Sequence, residues 1–226
     1  MAQTVGPSEQ LPDAVGKLAT DTTELGIVVG DMFRYACAGL FGQEPETARF
    51  VAESRAWVAQ AAITLETRIR AIIQRYRPVG EEMRRIVELQ QAVSQLARIA
   101  DRSSHISDQA LILRGAGDQV LASVTPDAPT ILYTLISLVY EQMRGVFLVT
   151  AARDVAQARA LVSHHAEVER YFSELHARLA DRVRTTPLAA PNLQRILMVA
   201  TNARQIAESV VMICQATLFT LETRRY

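Results

Sequence analysis

One long segment, residues 77–113, constrains the fold of this chain more than any other. Its apolar residues recur at steps of three and four, the spacing that places side chains on one face of an α-helix. Pro78 stands at the start, Glu81 and Glu82 follow in the first turn, and Gly115 and Gly117 mark the end. These are the residues expected at helix termini. The face expected to be buried comprises Met83, Ile86, Val93, Leu96 and Ala100.

A second stripe lies beside the apolar one on the same helix. Ala97, Asp101, His105 and Asp108 are three or four residues apart, so their side chains stack on adjacent turns. Polar groups stacked in this way can bind a ligand or simply face water.

The same helix carries a family resemblance. The residues that carry it are Arg77-Pro78, Met83-Arg84-Arg85 and Leu96-Ala97-Arg98-Ile99-Ala100-Asp101. This run resembles the signature of PhoU proteins, in which a Pro-led helix carries Leu-Glu-Arg-Ile-Gly-Asp. Ala97 stands where that family has Glu.

The resemblance implies a six-helix regulator of bacterial phosphate uptake. PhoU proteins consist of two related three-helix units, so we expect an all-α fold of two tandem three-helix bundles, residues 1–115 and 116–226. The resemblance further implies a cytoplasmic homodimer that docks to a phosphate transporter component and a sensor histidine kinase, and that meets the membrane only through such partners.

The rest of the chain fits this architecture. Helical patterns predict helices at about 11–40, 45–77, 130–152, 154–184 and 192–226, and the Gly- and Pro-containing segment 115–129 separates the halves. Ile99-Ala100-Asp101 recurs as Ile206-Ala207-Glu208, which suggests an internal duplication.

In the family, a Glu-x-x-x-Asp motif in each half binds metal clusters. Here the acid of the first half is Asp101 and that of the second half is Glu208, while Ala97 and Arg204 replace the motif glutamates. A metal site would use Asp101, His105 and Glu208, and iron, zinc or manganese suits such a ligand set. The alternative is that these are ordinary solvated polar groups.

The second half offers two further features near this motif. His165 and Glu169 are four residues apart on one helix and have the spacing of a ligand pair. Arg204 cannot ligate a metal, so we expect it to form an i, i+4 salt bridge with Glu208.

Arginines cluster around the turn between the second and third predicted helices. Arg84 and Arg85 are expected to be exposed and could bind an acidic loop or a phosphate of a partner, but solvated helix ends explain the cluster better. The cluster also includes Arg68, Arg70, Arg75 and Arg77.

Composition excludes several classes of function. The formal net charge is +0, so the chain has no overall basic field for nucleic acid. Cys37 and Cys214 have no second cysteine at metal-ligand spacing and are expected to be buried thiols. The N-terminal residues do not have the pattern of a secretory signal.

No catalytic motif is recognised, so we expect a non-enzymatic protein. The function that the resemblance implies is a phosphate-signalling adaptor. The alternatives are a metal-binding or redox-responsive helical protein, a PhoU-like paralogue with altered partners, and a helical scaffold of unrelated origin, because long amphipathic helices resemble one another in composition.

Overall fold

The computed structural model describes residues 10–41, 46–115, 127–186 and 189–222. These residues form six long α-helices and a short 3₁₀ helix, Gly39–Phe41, and no strand occurs among them. The all-α prediction is therefore confirmed. The helices are α1 Leu11–Ala38, α2 Glu46–Tyr76, α3 Gly80–Gly115, α4 Ala128–Ala152, α5 Val155–Thr185 and α6 Ala190–Glu222.

The six helices form two three-helix bundles, α1 to α3 and α4 to α6, because each helix packs on both others of its own half. The halves join mainly along α3 and α6, and α1 also contacts α4. Helix α3 therefore has neighbours on several sides. This explains why it buries polar as well as apolar side chains, including Glu88, Gln95 and Ser103.

The prediction of which residues form the buried apolar face of α3 is correct with one exception. Ile86, Val93, Leu96 and Ala100 are at most 4% exposed, whereas Met83 is only partly buried. Periodicity identified this face because one row of side chains must point toward the other helices of the bundle.

The start of α3 differs from the prediction. Arg77 has φ 45° and Gly80 has φ 60°, so the chain turns through left-handed conformations before the helix begins at Gly80. Pro78 lies in this turn and not inside the helix. The end of α3 at Gly115 agrees with the prediction, while Gly117 and most of the expected link between halves lie outside the described residues.

The junction between α3 and α6, here called the seam, is antiparallel. Three side-chain hydrogen bonds cross it at well-separated levels, and residue numbers on α6 fall as those on α3 rise. The pairs are Thr217 Oγ1 to Glu88 Oε1 at 2.9 Å, Arg102 Nε to Gln205 Oε1 at 3.0 Å, and Arg195 Nη1 to Gln109 Oε1 at 3.1 Å.

Helices α4 and α5 approach closely at Gly145. A Cβ atom added there would lie 2.8 Å from Leu161 Cδ2, closer than two carbon atoms can pack without a shift. The absence of a side chain therefore allows the two helices to meet at this level.

Among the described helices, α6 is long and apolar enough to cross a membrane by length and composition alone, with a mean hydropathy of 1.3 over its most apolar window. Half of that window is buried inside the protein. Because α6 packs on α3, α4 and α5, its apolar character is that expected of a core helix.

Candidate functional site

The polar stripe of α3 faces solvent and is bridged to α2. Arg55 Nε donates a hydrogen bond to Asp101 Oδ1 at 3.1 Å, with the two side chains 47% and 59% exposed. His105 and Asp108 are exposed on the following turns of the same stripe. The motif acid of the first half thus has an arginine partner from the preceding helix.

The motif acid of the second half is paired in a related way. Arg204 Nη1 lies 2.7 Å from Glu208 Oε1 and 3.0 Å from Glu169 Oε1, so one guanidinium group bridges α5 and α6. This confirms the expected salt bridge between Arg204 and Glu208. The same guanidinium lies 5.0 Å above the ring of Phe172, which also favours a cation at this position.

A three-residue group of possible metal ligands surrounds Arg204. Ligand atoms of His165, Glu169 and Glu208 all lie within 4.8 Å of one another. His165 Nε2 is 3.3 Å from Glu169 Oε1, as their spacing predicted, and His165 Nδ1 is buried without a hydrogen-bond partner among the described residues. One imidazole and two carboxylates suit a divalent transition metal. The guanidinium group already supplies positive charge to both carboxylates.

The structure divides the predicted metal residues between two places. Glu208 belongs to the group around Arg204, whereas Asp101 is paired with Arg55 and His105 is exposed on α3.

Arg102 interacts with both motif acids. Burial and the charge of Arg98 lower the pKa of Arg102, while the charges of Glu208 and Asp101 oppose this shift. Arginines therefore accompany the motif acids in both halves.

The expectation of exposure is wrong for Arg85. Its side chain is 13% exposed, with Nη1 donating to Glu88 Oε1 at 2.5 Å and Nη2 donating to the carbonyl oxygen of Thr150 at 3.4 Å. Arg84 is only partly buried. Arg85 is covered because the end of α4 and helix α6 pack over this part of α3. The spacing of residues along the sequence of α3 does not reveal such packing between helices.

Sequence reasoning missed the buried carboxylate beside Arg85. Glu88 is 3% exposed, and its Oε1 also accepts a hydrogen bond from Thr217. Its Oε2 lies 3.7 Å from Arg153 Nη2. We call Arg85, Glu88, Arg153 and Thr217 the Glu88 cluster. A signal was present, because Glu88 falls at the three- and four-residue steps of a second buried row on α3 that continues through Ala92, Gln95, Ile99, Ile106 and Ala110.

A groove of about 480 Å³ lies between α3 and α6, beside the Glu88 cluster. Its walls are mainly apolar, and Val87, Met212 and Phe219 are 43%, 45% and 67% exposed. Arg84 lines the same groove. An apolar surface beside a cation can accept an amphipathic segment of a partner.

Both cysteines are free and buried, as expected. Burial raises the pKa of the Cys214 thiol to about 12 and also raises the pKa of Cys37. Since the thiolate is the reactive form, neither thiol has the environment of a redox sensor.

Comparison with known proteins identifies the fold. A PhoU domain model matches residues 22–110. The structure of PhoU from Pseudomonas aeruginosa superposes with a TM-score of 0.88 at 17% sequence identity, covering 95% of this chain and 100% of that one. The phosphate transport system regulatory protein PhoU from Streptococcus pneumoniae gives a TM-score of 0.84 at 15% identity, covering 95% and 98% of the two chains.

A search of curated proteins gives no significant match. The domain match lies in the half of the chain that carries the helix resembling the PhoU signature, and the structural matches extend over both halves. Residues 22–110 therefore match the PhoU domain, and the chain has the fold of the two PhoU structures.

Proposed function

We propose that this protein is a non-enzymatic regulator of phosphate uptake and phosphate-starvation signalling. It acts as a cytoplasmic homodimer that docks to a phosphate transporter component and to a sensor histidine kinase. The single observation that carries the proposal is the extent of the fold match, 95% of the chain, to a protein described as a phosphate transport system regulatory protein. Such a function depends on helix surfaces and not on bond chemistry.

The described surface offers an apolar area for docking in the groove between α3 and α6, where Arg84 lies beside the exposed Met212 and Phe219. Trp57 and Ile63 on α2 are also 51% and 57% exposed, but they point to different sides of the helix. Exposed aromatic and aliphatic side chains of this size are common anchors in protein interfaces.

Deletion of the gene tests the proposal directly. We expect phosphate-starvation genes to stay switched on in phosphate-rich medium, with wild-type protein restoring repression. Arg84→Glu should restore it poorly while melting like the wild type, because Arg84 borders the groove and is not part of the Glu88 cluster. Exposed Arg98 on the same helix provides the matched control, Arg98→Glu, which should restore repression. Normal phosphate regulation in the deletion strain would contradict the proposal.

A second candidate function is metal binding at His165, Glu169 and Glu208. The favouring observation is the convergence of their ligand atoms within 4.8 Å. Arg204 competes with the metal, so we propose that wild-type protein binds iron, zinc or manganese weakly. Elemental analysis of tag-free protein tests this: several tightly held ions per chain would contradict weak binding, and no uptake even in Arg204→Gln would exclude the site.

A further inference from the structure

The groove between α3 and α6 matches the shape of an α-helix. Its α3 wall includes Met83, Val87 and Gln91, which are four residues apart, and its α6 wall includes Met212 and Ala216 at the same spacing. Side chains four residues apart lie on one face of a helix, on adjacent turns. Each wall is therefore a row of side chains that runs along its helix, and the two rows border a channel about two turns long, roughly 12 Å.

The walls of the groove favour an occupant with one apolar side. Val87 is 43% exposed and Met212 is 45% exposed, so the groove is open along its outer side. An occupant that lies there keeps one side in water while its other side contacts the walls. An amphipathic helix has such a surface, whereas a pocket for a small molecule encloses most of its ligand.

The charge that an occupant of the groove can reach is positive. Arg84 and Glu88 are the charged residues among those that line the groove. Glu88 is 3% exposed and already accepts hydrogen bonds from Arg85 and Thr217. Arg84 forms no ion pair with another described residue, and its Nε atom is buried without a hydrogen-bond partner among them. The groove therefore presents apolar walls beside one uncompensated cation.

Carboxylates at the start of α3 and at the end of α6 contact other arginines. Glu81 Oε1 lies 3.9 Å from Arg153 Nη1, and Glu222 Oε1 lies 2.6 Å from Arg159 Nη2. These contacts leave Arg84 to pair with an acidic group from another molecule. A cation beside an apolar surface is complementary to a carboxylate beside an apolar helix face.

We propose that this groove binds an acidic amphipathic helix of a protein partner. The apolar side chains of that helix pack between Val87 and Met212, and one of its carboxylates pairs with Arg84. Such a helix is the contact segment of the docking partner in the proposed function, on which this assignment rests. A second copy of the chain is less suitable, because a two-fold interface places the same surface against itself, and none of the described residues that line the groove offers an exposed carboxylate.

Selection from a phage-displayed library of random peptides tests the chemistry of the occupant. The bait is the full chain, and the peptides are about 15 residues long, enough for four helical turns. We expect the recovered peptides to be acidic and to carry apolar residues at the three- and four-residue steps of a helix. Arg84→Glu should instead select neutral or basic peptides, because the charge beside the groove is reversed. Recovery of mainly basic peptides by the wild type, of peptides without helical spacing, or of no binding peptide would overturn the assignment.

Two pairs of variants locate the binding of the selected acidic peptides. Arg84→Glu and Met212→Asp should each weaken it by at least about tenfold, measured by fluorescence anisotropy. Arg98→Glu and Met198→Asp are the matched controls, since each is the same substitution on the same helix at an exposed residue outside the groove walls. The controls should change the affinity by less than about twofold. Circular dichroism confirms that all four variants are folded, and equal effects in variants and controls would overturn the assignment.

Sedimentation of the wild type and of Met212→Asp separates a partner helix from a second copy of the chain. We expect the same oligomeric state for both proteins. A dimer that dissociates in Met212→Asp would show that a second copy covers the groove and would overturn the assignment.

The peptide experiments and the deletion experiment fail independently. Peptide binding at the groove in a protein whose deletion leaves phosphate regulation normal would contradict the proposed function alone. A clear regulatory phenotype without acidic peptide binding would contradict the partner chemistry alone.

Discussion

Arg55 on α2 donates a hydrogen bond to Asp101 on α3 across 46 residues of sequence, at 3.1 Å. Arg204 contacts Glu169 and Glu208 in the other half. In both halves an arginine side chain therefore supplies the positive charge next to the motif acid. This arrangement gives a physical reason to expect weak metal binding in a protein that keeps the PhoU fold.

Replacing Arg204 should convert its surroundings into a stronger metal site. Arg204→Glu places a third carboxylate beside His165, Glu169 and Glu208, so we expect a lower melting temperature without metal, from charge repulsion, and a clear rise on adding Mn²⁺ or Zn²⁺. Thermal unfolding with and without metal measures this. Arg204→Gln removes the competing cation without adding a ligand and should show a smaller rise. No metal response in either variant would contradict the ligand geometry.

Charge reversal at Arg85 should be strongly destabilising. Arg85→Glu places a second carboxylate against Glu88, whose side chain is 3% exposed, and we expect a loss of about 3–5 kcal/mol. Arg98→Glu on the exposed side of the same helix should change stability by less than about 0.5 kcal/mol. Urea unfolding of both variants measures the difference. Equal stabilities would show that the Glu88 cluster does not contribute to folding.

A substitution at Leu96 tests which face of α3 is buried in the core. Leu96 is 4% exposed, so Leu96→Asp buries an uncompensated carboxylate, and we expect it to cost about 4–5 kcal/mol or to unfold the first half. Leu111→Asp is the same change on the same helix at a position 48% exposed, and it should be nearly neutral. Circular dichroism melting curves compare the two variants. An unchanged curve for Leu96→Asp would contradict the burial of this face.

The buried cysteines predict a loss of stability at alkaline pH. The pKa of Cys214 rises from 9.0 to about 12 on folding, so the unfolded chain loses its proton first and stability falls as pH rises between these values. At pH 10 the loss from this thiol is about 1.4 kcal/mol. Unfolding measured from pH 8 to pH 10 should show a shallower decline in Cys214→Ala than in wild type. Parallel declines would contradict the assignment.

The sequence was sufficient to predict the features that involve a single helix, namely its buried face and the contacts between side chains one turn apart. The buried face containing Ile86 and Leu96 follows from periodicity, and the contact between Arg204 and Glu208 follows from their separation by one turn. The contact between Arg55 and Asp101 was not predicted, because it depends on how far α2 is displaced along α3. That displacement is set by the packing of whole helices.

The burial of Arg85 was missed for a related reason. Its neighbours Thr150 and Glu88 belong to α4 and α3, and α4 reaches this position only after the two halves have joined. A helical projection of α3 alone places Arg85 near the boundary of the apolar face. Only the completed fold determines that the boundary is covered there.

The three hydrogen bonds along the seam have a mechanical consequence. Sliding α6 along α3 by a single turn would break all of them together: Thr217 to Glu88, Arg102 to Gln205, and Arg195 to Gln109. These hydrogen bonds therefore oppose sliding of one three-helix bundle along the other, because a change of register at the seam has to break all three at once.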